Sequence, residues 1–142
     1  MLNLQKKDRQ NALTTGGTSA QSVAALAPAT AGEALALGDA VYVKSSDGRV
    51  YKALSNNMRE KANVLGLVKA AVSNAGDAVT VVVRGPIAGL TGLSAGVDYY
   101  LDNNGGITQT APTGGQFYSV HIGQAISATE LDVQPHQPIF TT

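Results

Sequence analysis

Two histidines, His121 and His136, are the first residues of this chain to weigh for chemistry, because imidazole titrates near neutral pH and ligates metals. A zinc or non-haem iron site takes two or three such side chains with carboxylates at close spacing, and neither H-x-x-E nor H-E-x-x-H occurs. His121 precedes an inward-reading Ile122 and is expected to face outward, while His136 stands between Pro135 and Pro138 near the end. Asp102 lies in "DYYLDNNGG", which lacks the spaced ligands and closing Glu of a calcium hand. Asp47-Gly48 likewise reads as turn chemistry. No glycine-rich run sits between a strand and a helix as a phosphate cradle must, and no serine occupies a G-x-S-x-G elbow. Sugar hydrolysis would require two acids facing each other across ~5 to 9 Å, and Asp98, Asp102, Glu130 and Asp132 are the residues from which such a pair would be drawn. The absence of cysteine excludes disulfides and thiolate sites. The expectation is a protein that is not an enzyme, with no catalytic residue, no metal site and no cofactor.

Charge narrows the partners. Ten basic and ten acidic residues cancel, which removes the broad positive field of a general nucleic-acid binder. Within residues 1–31 the balance is different: Lys6, Lys7 and Arg9 face only Asp8, so this stretch is net +2 and the remaining 111 residues are net −2. Its "NALTTGGTSAQSVAALAPAT" has no sustained period of 2 or 3.6 and cannot bury a face by itself. Residues 1–31 therefore read as an extended, basic N-terminal arm. Lys6, Lys7 and Arg9 are its candidates for gripping an acidic partner. No run approaches the ~20 apolar residues of a membrane span, and the first residues lack the apolar core of a secretory signal. A soluble protein made in the cytoplasm, with no membrane partner, is expected.

From Gly32 onward the chain reads as strand and turn. "DAVYVKSSDGRVYKA" is strand, turn, strand; "NVLGLVKAAV" is a buried strand whose Gly66 marks a bulge or a close backbone approach. "SNNMREKA" is a loop or a single helical turn, and "AVTVVVRG" is the strongest strand, placed centrally by its apolar faces. The pattern then returns. Gly38 aligns with Gly96, Tyr42 with Tyr100, Val43 with Leu101, and Gly66 with Gly123, at a spacing of 57 to 58 residues. Two similar β-units follow, about 32–84 and 85–134, linked by the glycine-rich "GPIAGLTGLSAG". One unit of three or four short strands exposes an apolar face that another sheet must cover. The expected fold is all-β, a β-sandwich or flattened, jelly-roll-like barrel over residues 32–142. With 44% apolar but only 5% aromatic residues, its core should consist of small and β-branched side chains.

At "RGPIAGLTGLSAGVDYYLDNNGGITQTAP" and "VHIGQAISATELDV" the chain resembles a β-module of tailed-bacteriophage virion proteins, found in capsid decoration (cement) proteins and in some fibre proteins. The resemblance covers residues 63–134 well, 32–62 loosely, and the arm hardly at all. It implies a non-enzymatic homo-oligomer, dimer or trimer, on the exterior of an icosahedral head, bridging major capsid protein subunits and holding the shell. It carries no functional residues over, because the matching positions are turns and core. The alternative is a fibre or receptor-binding domain that recognises a host surface ligand. A fibre usually trimerises through a heptad segment, and none occurs here.

Overall fold

The computed structural model describes residues 23–56, 58–113 and 115–141. Strand β5 (Ala78–Ile87) is the longest and organises the rest. Val79 and Val81 are buried on one of its faces, Val82 and Ile87 in a cluster on the other, as expected of a central strand. Val81 and Val82 pair with Val68 and Leu67 of β4 (Gly66–Val68) across one edge and with Ala27 and Leu26 of β1 (Ala25–Thr30) across the other. The last three residues of β5 then pair with β10 (Leu131–Val133).

The two halves share one strand order. The first runs β3 (Val50–Lys52), β2 (Ala40–Val43), β4, β5; the second runs β7 (Ile107–Thr108), β6 (Asp98–Leu101), β9 (His121–Ala125), β10. All pairings are antiparallel, and the halves join where Ile87 faces Leu131. Small details repeat as well: the Gly38 amide donates to the Val68 carbonyl and the Gly96 amide to the Ala125 carbonyl, each at 2.8 Å. The all-β expectation holds, in its barrel-like form. One strongly curled sheet runs through both units, because β5 continues past Gly85 instead of ending there. Gly85 has φ +94°, and Val23 O and Ala24 Cα pack where a side chain would stand. The boundary between the repeats thus falls inside β5, at Gly85, the first residue of the linker, whose opening residues 85–87 are themselves strand paired to β10.

The curl brings the far ends of the sheet together. The Ala40 amide donates to Gly105 O in the β6–β7 turn at 3.0 Å, and Gly105 packs on the Lys52 side chain. The enclosed core draws on both halves: Tyr42, Leu67 and Val82 from the first, Tyr99, Leu101, Ile122 and Leu131 from the second. Full burial of each of these aliphatic side chains contributes roughly 1.5–3 kcal/mol. As composition requires, the core is mainly Val, Ala, Leu and Ile.

The arm does not extend to residue 31. Ala25–Thr30 is strand β1, and Ala31 is fully buried with Leu35, Val41, Val50, Val68, Val79 and Val81 in a second cluster on the outer face of the first half. The Ala31 amide donates to Asp77 O and the Gly32 amide to Val50 O, both at 2.9 Å. These residues belong to the β-body because backbone pairing, which needs no apolar period, holds them. The remaining elements are a single helical turn, α1 (Arg59–Ala62), and a small sheet of β8 (Phe117–Ser119) with β11 (Ile139–Thr141). No helix among the described residues is long and apolar enough to cross a membrane.

Candidate functional site

Lys6, Lys7 and Arg9 lie outside the described residues. The acids weighed for hydrolysis take separate roles. Asp102 closes its own turn, its Oδ1 accepting the amides of Asn104 at 2.8 Å and Gly106 at 2.9 Å. Asp47 does the same in the β2–β3 turn, accepting the Arg49 amide at 2.9 Å. Both are turn residues, as their Asn and Gly neighbours indicate. Glu130 contributes its backbone carbonyl to the β9–β10 turn. Asp98 and Asp132 stand in one cross-strand row on either side of Gln124, about two strand spacings or ~10 Å apart at Cα. The Asp98 carboxylate is turned to His121 at 3.2 Å.

The histidines are not apart. His121 on β9 and His136 on the segment after β10 stack at a centroid distance of 4.6 Å, because the His136 amide donates to His121 O at 2.9 Å and lays that segment along β9. Tyr100, paired with His121 across β6 and β9, meets its ring edge-on at 5.5 Å. His121 is half-buried and its Nδ1 has no hydrogen-bond partner among the described residues. Sequence spacing hides this cluster, since β10 returns the chain to β9 between the two histidines. Among the described residues, no three of His, Asp and Glu gather in an arrangement able to hold a metal ion.

One groove, of about 370 Å³, lies between the β2–β3 hairpin, α1 and the β6–β7 turn. Tyr42 and Tyr51, cross-strand partners on β2 and β3, form its floor with ring centroids 6.2 Å apart. Lys44, Lys52 and Lys61 line it together with Glu33 and Asn104. The Tyr51 ring lies so close to Gly32 that a Cβ there would stand 2.1 Å from Cζ, and the Lys44 ammonium sits over the same ring, 4.9 Å from its centroid.

The acids around this groove are engaged with neutral donors. Glu33 accepts the Lys52 amide at 2.8 Å, Glu60 the Ser45 amide at 2.7 Å, and Asp47 the Tyr51 phenol at 2.6 Å. The Tyr51 hydrogen bond, then the Arg49 amide, holds the Asp47 carboxyl below its ordinary range, and the same bond pushes the Tyr51 phenol up. The hydrogen bonds from Ser45 lower the Glu60 carboxyl. Burial, then Glu60, Glu33 and Asp47, raises the Tyr42 phenol. Among the described residues, no carboxylate forms an ion pair with Lys44, Lys52 or Lys61. Sequence reading passed over these lysines because they come from three elements. The signal available was the hairpin register, which sets Tyr42 opposite Tyr51 and Lys44 on the same face as Tyr42.

Neither a protein-family model nor a curated protein sequence matches the chain.

Proposed function

We propose that this chain is a virion structural protein, a decoration or cement protein that attaches to the outside of an icosahedral phage head, bridges major capsid subunits and stabilises the shell. What supports this reading most is the attachment of β1. Six consecutive residues, Ala25–Thr30, are held along β5 with small or exposed side chains, so the contact is made chiefly by main chain. A chain whose N-terminal region is already laid on a sheet edge in this way is suited to bridging neighbours. The likeness of residues 63–134 to phage virion modules points the same way, and those residues build β4, β5 and the whole second half of the curled sheet.

The physical basis is mass action. A clamp that binds assembled neighbours but not free subunits stabilises the lattice, and an oligomer engaging several subunits turns weak sites into firm attachment. For the oligomer itself, Ile139 and Phe140 of the small sheet, 67% and 50% exposed, offer an apolar contact for a second copy.

The test is to mix purified protein with undecorated phage heads and image them. Density at fixed symmetry positions, with a higher rupture temperature of the shells, is the expected result. Bare shells at saturating protein overturn the reading, and binding to host cells instead would favour a fibre or receptor-binding role.

A further inference from the structure

We infer that the second half of the sheet binds an extended, uncharged segment of a partner polypeptide along the open edge of β7, in a groove of about 380 Å³ between residues 37–39, the linker residues 89–93 and Ile107. Its basis is a difference between the two halves. Val50 and Ile107 hold equivalent places, facing Val43 and Leu101 across their hairpins. On β3 the outer edge is closed: the Gly32 amide donates to Val50 O at 2.9 Å, and Ala31 bridges to Val50 in parallel. On β7 it is open. The Leu101 amide donates to Val120 O at 2.9 Å and the Asp102 amide to Gly106 O at 3.0 Å, so Leu101 and Ile107 face each other as a non-hydrogen-bonded pair. The Ile107 N–H and C=O therefore point away from β6, and among the described residues no backbone hydrogen bond joins them to the linker.

The stretch that would close this edge is one residue shorter than its counterpart. Matching hydrogen bonds fix its ends: the Ala31 amide to Asp77 O and the Leu90 amide to Thr129 O on one side, the Leu35 amide to Val72 O and the Leu93 amide to Ala128 O on the other. Between these anchors stand Gly32, Glu33 and Ala34 in the first half, but only Thr91 and Gly92 in the second. What the first half lays on its edge thus describes what the second half lacks: the main chain of small, uncharged residues, Ala31 and Gly32, running parallel to the strand. An N–H and a C=O left open on one strand residue call for an acceptor and a donor at peptide spacing. Bulky side chains are kept out, because Leu37 and Leu90 already fill one end: a Cβ on Gly38 would stand 2.7 Å from Leu90 Cδ2, and one on Gly89 3.0 Å from Leu37 Cδ2. Asp39 is the one carboxylate lining the groove and no lysine or arginine lines it, which disfavours an acidic segment. Tyr99 is only 4% exposed and offers no open face on which a sugar or base could stack.

The experiment is a titration of the isotope-labelled full chain with the end-blocked peptide PATAG, the sequence of residues 28–32, followed by amide shifts. Saturable shifts at residues 90–93 and 106–108 are expected, with slowed hydrogen exchange at the Ile107 amide. An end-blocked pentaproline is extended but has no N–H to donate, and should bind roughly ten-fold more weakly, the cost of about one backbone hydrogen bond. Inserting one alanine between Thr91 and Gly92 restores the length found in the first half; it should close the edge, protect the Ile107 amide without peptide and abolish binding. Should the insertion variant lose its fold, Leu37→Trp, at the exposed rim of the groove, should still weaken binding several-fold. Absence of saturable shifts, shifts confined to β5 where the same sequence already sits as β1, or equal binding by pentaproline or by the variants overturns the inference. So does an Ile107 amide already protected in the free protein, or concentration-dependent shifts at 106–108 without peptide, which would give the groove to a second copy.

Discussion

Gly66 and Gly123 occupy equivalent places in the two halves of the sheet: a Cβ built on Gly66 would stand 2.1 Å from the Val82 carbonyl oxygen, and one on Gly123 would stand 2.1 Å from that of Asp132. Each lies on a strand, β4 or β9, next to the strand that joins the halves, β5 or β10. The repeat is therefore one of backbone geometry, and it explains why glycines are its best-preserved landmarks.

Gly66→Ala and Gly123→Ala should each destabilise the protein by about 1–3 kcal/mol, since the added methyl must push two paired strands apart. Gly115→Ala is the control: nothing lies within 4 Å of its Cβ, and the change should stay within about 0.5 kcal/mol. Urea denaturation midpoints of the three variants check this. A harmless Gly123→Ala beside a damaging Gly66→Ala would break the equivalence.

The core is shared, so the halves should unfold together. Ile122 is fully buried among residues of both halves, and Ile122→Ala should cost about 2–5 kcal/mol while keeping a single transition. Amide signals from β2 and from β9, followed through the same denaturation, should vanish at one midpoint. Two separate midpoints would mean two independent folding units.

How much of this was legible in the sequence depended on what holds each element. The β2–β3 hairpin, β5 and the Gly66 strand carry apolar alternation or turn residues that record their surroundings, and they were readable. Strand β1 was not, because its Ala, Leu and Pro residues are held by ladder hydrogen bonds to β5 that any side chains would allow. The His121–His136 stack and the lysine groove were hidden for another reason. Their members come from separate elements, and only the curl of the sheet brings Asn104 and the β6–β7 turn beside Lys52 and Tyr42. The arm residues proposed for docking, Lys6, Lys7 and Arg9, rest on charge alone.

Two truncations separate the arm from the body. Deleting residues 1–22 keeps β1 and Ala31 and, on the proposed function, should weaken attachment to phage heads. Deleting residues 1–31 should lower stability as well, since it strips β5 of one pairing edge and removes the fully buried Ala31 from the outer cluster. Melting curves and head occupancy for both deletions check the point. Equal stability of the two would mean that β1 adds nothing to the fold.

The bond between the Tyr51 phenol and the Asp47 carboxylate should give the protein a two-sided pH signature. Asp47 titrates below its ordinary value in the folded protein, so its contribution is present above the unfolded carboxylate pKa of about 4 and is lost as pH falls through the lowered value. Tyr51 titrates above its ordinary value, so its contribution is present below the unfolded phenol pKa of about 10 and is lost as pH rises through the raised one. Tyr51→Phe removes the phenol while keeping the ring beneath Lys44. The stability gap between wild type and this variant should hold level from about pH 5 to 9 and close at both ends, as read from urea midpoints across the range. A gap that closes only on the acid side would show that the fold does not hold the Tyr51 phenol against ionisation, and one that never closes would show that the hydrogen bond is not what the substitution removes.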